Sequence, residues 1–173
     1  MSSWKTAAAV AVAGIFLCRA NQAPKAATAA ESGRAPAIHI VHAGIPRGVV
    51  VRLRNGMDML EGLQTAVRQE KIKSAVIVSG FGSLTSYRVH VVANTTLPVR
   101  NVFTRRDGPY DIVSVGGMII DGTVHCHITV SDTEKAVGGH LELGSTVFTF
   151  AVITLGVFDD STSLSRVDDA DWR

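Results

Sequence analysis

Residues 121–141, DGTVHCHITVSDTEKAVGGHL, hold three histidines and two aspartates within one hairpin's length of chain. In a strand, residues two apart share a face, so His125 and His127 project together and Cys126 points away. Their Cβ atoms then stand about 7 Å apart, twice the per-residue rise of a strand. If the chain turns around DTEK with Thr133 and Glu134 at its centre, Val130 falls opposite Val137 and His127 opposite His140. A turn one residue earlier sets His125 opposite His140 instead, and in both registers His140 joins the face of the HxH pair. Two readings follow. Three histidines on one face can hold a metal with one position left open, as in zinc sites that keep a water; equally, they can be polar residues on the wet face of a half-exposed sheet.

Neighbouring residues refine this picture. The two glycines before His140 suit a bulge or the close approach of another backbone. Asp132 fits best as a cap of its own turn, with orientation of a histidine as the other option. Asp121 belongs to the DG turn, the best short-range hairpin signal in the chain.

Outward from the hairpin the same pattern continues. The segments at residues 37–43 (AIHIVHA) and 48–56 (GVVVRLRNG) are short and β-branched and read as two strands, the first an edge strand flanked by His39 and His42. Residues 57–72 place Met59, Leu60, Leu63, Val67 and Ile72 at helical spacing, with Asp58 near the start to meet the helix dipole. Residues 73–93 form a nearly continuous strand broken at SGFGS, where Ser79, Gly80, Gly82 and Ser83 line a bend that can border a ligand pocket. A loop rich in proline, asparagine and arginine follows, including the charge cluster Arg105, Arg106 and Asp107. Strands are expected at 110–120, 123–130, 136–143 and 145–158. Strands dominate and one helix crosses between early strands, so the expected fold class is α+β: a single domain with a mostly antiparallel sheet and one main helix.

The 173 residues divide into a targeting-like leader at 1–33, a domain at 34–158 and a polar tail at 159–173 that reads as solvated. The leader carries Lys5, an apolar run from Ala7 to Cys18, and small residues in NQA and ATAA that suit cleavage after export. Secretion or delivery to the periplasm is the first reading, an organelle transit peptide the second and an uncleaved anchor the third. The apolar run is short for a membrane span, so no stable transmembrane anchor is expected. Cys18 and Cys126 are the only cysteines, which excludes a disulfide framework. A formal net charge of +2 with scattered basic residues gives no electrostatic footprint for nucleic acid.

Three stretches in order, 52–84, 108–119 and 124–156, with SGFGSL, GPYDIVSVGG, HxH and GGHL as their signatures, resemble the plant and prokaryote conserved (PPC) domain family. The similarity runs from about Ile38 to Gly156. The resemblance implies a trimeric α+β domain and a metal ion, zinc or another divalent transition metal, held by His125, His127 and His140. It tips the hairpin towards the metal reading. The chain lacks the basic AT-hook of plant members, having only SGRAP at 32–36, and carries Val152 where the family has an acidic residue.

The function expected is therefore a homotrimeric metal- and small-ligand-binding domain with no defined reaction. Glu142, two residues beyond His140 on the same strand face, is the nearest carboxylate and reads either as a general base or as an exposed strand charge. A DNA-binding, transcription-related protein and a structural or protein-interaction trimer are the alternatives.

Overall fold

A computed structural model of the protein describes residues 36–172. The leader read at residues 1–33 lies outside these residues, and so do Cys18 and the arginine of SGRAP. The order is β1 (Arg47–Arg54), α1 (Met59–Gln69), β2 (Ala75–Val92), β3 (Asn101–Ile120), β4 (Thr123–Ser131), β5 (Ala136–Leu141), β6 (Thr146–Val157) and a short 3₁₀ turn, Ala170–Trp172. Every strand pair is antiparallel, in the order β1-β6-β2-β3-β4-β5, with β5 returning to pair with β2. The expected α+β class with one main helix is what forms. No helix among the described residues is long and apolar enough to cross a membrane.

The strands follow from alternation. In β4 the buried residues are Val124, Cys126, Ile128 and Val130, while the intervening histidines and threonine stand on the other face. The helix starts at Asp58, whose carboxylate accepts from Glu61 N at 3.0 Å and from Gly144 N at 2.6 Å. It buries Met59, Gly62, Leu63 and Val67 and packs against β1, β4 and β6. Gly62 permits this approach, because a Cβ there would meet Leu53 Cδ2 at 2.8 Å. From the helix, Gln64 clamps the β3–β4 hairpin: its Nε2 donates to Gly122 O at 2.6 Å and its Oε1 accepts from Val124 N at 3.0 Å. That fixes the residue next to His125.

Three expectations need correction. No strand forms at 37–43; β1 begins at Arg47, and Gly44 N instead donates to Asp159 Oδ2 at 3.0 Å. β-branched content alone does not make a strand without a partner edge, and β6 already has β1 on that side. The loop after β2 is shorter than expected, because β3 starts at Asn101. Arg105, Arg106 and Asp107 therefore lie in β3, paired with β2, and not in a loop. Finally, the tail is polar but not simply solvated: Thr162 and Leu164 are buried, and Asp159 holds a turn through Ser161 and Thr162. These hydroxyls and the Gly44 N–H hold the Asp159 carboxyl down to about 2.

Candidate metal centre

The hairpin turns at DTEK: Val130 pairs with Val137 and His127 with His140. Asp132 caps the turn, its Oδ1 accepting from Glu134 N and Lys135 N at 2.8 and 2.9 Å. Asp121 and Gly122, both at positive φ (48° and 77°), make the tight turn between β3 and β4.

The pair of glycines before His140 has a double reason. A Cβ on Gly138 would meet Ile128 O of β4 at 2.7 Å, and one on Gly139 would meet His90 O of β2 at 2.6 Å. Their absence lets β5 fit between β4 and the end of β2, closing β2, β3, β4 and β5 into a ring. As a result His140 pairs with His127 on one side and His90 on the other.

The three predicted histidines come together. Ring centres are 5.8 Å apart for His125 and His127, 4.9 Å for His125 and His140, and 5.3 Å for His127 and His140. Three imidazoles on one tetrahedral ion at a Zn–N distance of about 2.1 Å would have ring centres about 5 Å apart. The ring centres are at about that spacing, but among the described residues the ligand atoms that lie within 4.8 Å of one another are those of His90, His140 and Glu142.

Three further residues surround them. His90 stacks on His140 at 4.5 Å and leans on Phe103 at 5.1 Å. Its Nδ1–H donates to Glu142 Oε1 at 2.6 Å, and the same oxygen stands 3.6 Å from His140 Nδ1. Glu142 is placed there by its N–H on Arg88 O and by Ser145 Oγ, which stands 3.2 Å from both Glu142 O and Arg88 O and shares its single proton between them. On the opposite side, His125 Nδ1 meets Asp168 Oδ2 at 2.9 Å. Ligand atoms of His90, His140 and Glu142 all lie within 4.8 Å of one another, so this trio can also hold a cation.

His140 Nδ1 is buried and has no hydrogen-bond partner among the described residues. A buried ring nitrogen left unpaired is costly, and an electropositive partner would relieve it. The cluster also disfavours protons. Burial first, then the charges of His125 and His90, lower the His127 pKa below 6.5. Burial, His125, His90 and His127 lower that of His140, with Glu142 opposing. Neutral imidazole is the form a metal takes. Cys126 is excluded as a ligand: its side chain is 1% exposed in the core, and burial raises its thiol to about 12.

His90 was not singled out in the sequence. Its signal is weak: it occupies the polar phase of the alternation at Tyr87, Val89 and Val91. Glu142, expected either as a general base or as an exposed strand charge, is half-buried, with its carboxylate between His90 and His140. Asp168 carries no local signal at all. Val152 lies in β6, which pairs with β1 and β2 and not with the histidine strands β4 and β5. The SGFGS bend is a run of register shifts in β2, and glycine is required at position 82, where a Cβ would meet Phe150 O at 2.1 Å. It borders an open cleft of about 750 Å³ lined by Phe81, Ser83, Tyr110, Phe148 and Phe150 among others.

The sequence model of the Plants and Prokaryotes Conserved (PCC) domain matches residues 40–159. Among curated proteins, the bifunctional protein GlmU of a Synechococcus strain is 28% identical over 106 residues, covering 61% of this chain but only 16% of that protein. Three solved structures are similar in fold. A metal-containing protein of Archaeoglobus fulgidus is 22% identical over 69% of this chain and 86% of its own, with a TM-score of 0.61. A plant- and prokaryote-conserved protein of Pyrococcus horikoshii is 18% identical over 78% and 94%, at 0.63. A candidate DNA-binding protein of Bacteroides thetaiotaomicron is 21% identical over 78% and 94%, at 0.60.

Proposed function

The chain belongs to the Plants and Prokaryotes Conserved (PCC) domain family, and from that premise we propose that it binds one divalent transition metal of the zinc type through His125, His127 and His140. The observation that carries this reading is the mutual spacing of the three rings, 4.9 to 5.8 Å, which suits one tetrahedral ion. A metal there supplies a Lewis acid or an activated water. Glu142 and His90 stand beside it as the hydrogen-bonded pair that borders any small ligand entering the open position.

Elemental analysis of the purified protein after incubation with zinc tests the reading. The wild type is expected to hold stoichiometric metal, Cys126→Ala to retain it and His127→Ala to lose it. A metal-free wild type overturns the proposal. A second ligand set is favoured by the 4.8 Å grouping of His90, His140 and Glu142. It predicts the reverse pattern, in which His90→Ala loses the metal and His127→Ala keeps it.

The domain is further proposed to be a homotrimer. One helix leaves much of the sheet uncovered, and Val50, Val78, Phe81, Phe103, Val113 and Phe148 are exposed. Apolar area of this kind is usually covered by association. Light scattering at micromolar concentration is expected to give three times the chain mass, and a monomer's mass rejects it. Against a DNA-binding role stand the net charge of +2 and the scatter of basic residues.

A further inference from the structure

We propose that Asp168, in the C-terminal segment, is a positioning residue of the metal centre, and that docking of residues 159–172 and metal binding are therefore coupled. The inference rests on the metal reading above and adds a residue outside the span that the family model matches, which ends at 159.

The contact is 43 residues long-range: His125 Nδ1 to Asp168 Oδ2, 2.9 Å. A carboxylate only accepts, so the ring proton sits on Nδ1 and the lone pair on Nε2. That is the tautomer a metal-ligating histidine needs, and carboxylates in this position fix the ring and raise its basicity. The ring so held is the one whose centre lies 4.9 Å from His140 and 5.8 Å from His127.

The segment that delivers Asp168 is anchored. Asp159 accepts from Gly44 N, Ser161 and Thr162; Leu164 is buried with 2% of its surface exposed; Val167 N donates to Leu164 O at 2.9 Å; Arg166 pairs with Asp169 at 2.8 Å. These contacts fix the segment from 159 to 169 without help from His125. The carboxylate is thus presented to the ring by a built turn.

Energetics separate a positioning role from a structural one. His125 and Asp168 side chains are 38% and 41% exposed, and an ion pair at such a site contributes little to stability by itself. Loss of an outer carboxylate from a metal histidine, by contrast, typically weakens metal affinity about 10- to 100-fold. Asp168→Ala should therefore change zinc affinity far more than it changes the fold.

The experiment measures zinc affinity of the full chain by competition with a chromophoric chelator, for the wild type, Asp168→Ala and Asp171→Ala. Asp171 removes the same charge from the same segment. The expected result is a 10- to 100-fold loss for Asp168→Ala alone, with an unchanged melting temperature of the metal-free protein. Limited proteolysis supplies a second readout: zinc should slow cleavage within 159–172 in the wild type and not in Asp168→Ala, because coupling is reciprocal. Equal affinity of wild type and Asp168→Ala overturns the proposal while leaving the metal centre standing. Equal losses in both variants also overturn it, as a general charge effect. A wild type that binds no zinc removes the centre and the inference together.

Discussion

His140→Ala is expected to remove metal from the protein outright while leaving the sheet folded. His140 belongs to both possible ligand sets, sits between His127 and His90 in the pairing of three strands, and has the one buried ring nitrogen without a partner among the described residues. Its loss takes a direct ligand, so the affinity should fall by more than the about 10- to 100-fold typical of an outer partner. The fold should tolerate the change, because the core lies on the other face, in Leu141, Cys126 and Ile128. Acid should act in the same direction on the wild type. The His127 and His140 pKa values are lowered from 6.5, so both rings are neutral above 6.5 and take up protons only as the pH falls through the lowered values. Metal is then expected to be released below pH 6.5, and the metal-free domain to lose stability over the same descent, since the unfolded chain binds protons first. Zinc release followed against pH checks this. Retention of stoichiometric metal by His140→Ala would show that neither ligand set is right.

Gly117→Ala is expected to be the most damaging single methyl group in the hairpin, and Gly116→Ala, one residue earlier, nearly silent. Gly117 has φ 144°, and a Cβ there would lie 2.2 Å from His125 O and 2.7 Å from Cys126 Cα. Both atoms are backbone of β4, so relief requires moving the strand that carries His125 and His127. A disallowed backbone conformation costs about 1 to 3 kcal/mol and overpacking about as much again, so a loss of about 2 to 6 kcal/mol is expected. At Gly116 nothing lies within 4 Å of the added methyl. Ala there should fall within about 0.5 kcal/mol of the wild type, as for other open surface positions. Chemical denaturation of the two variants tests the contrast, and similar stabilities for both would contradict the register of β3 on β4. The GG pair thus has one structural glycine and one free position.

The hairpin was legible because its information is local. Alternation sets which side chains share a face, and a short turn sets register, so the HxH pair, its partner His140, the Asp132 cap and the DG turn all follow from nearby residues. The helix was legible for the same reason, down to its Asp58 start. No strand forms at 37–43, because a strand exists only with a partner edge and the sequence does not show which edges are taken. The reach of β3 has the same origin: Asn101 to Asp107 are strand because β2 runs alongside them.

By itself, then, the sequence determined the α+β class and the face on which His125, His127 and His140 lie. Tertiary structure alone decided what meets that face. His90 arrives because β5 closes onto β2, a pairing of residues 50 positions apart in the chain; Glu142 is turned between His90 and His140 by the Ser145 and Arg88 contacts; Asp168 arrives on a docked C-terminal segment. Periodicity reports the direction of a side chain relative to its own strand. It carries no information about which distant segment the folded chain brings opposite, because that is settled by ring closure and packing of the whole domain.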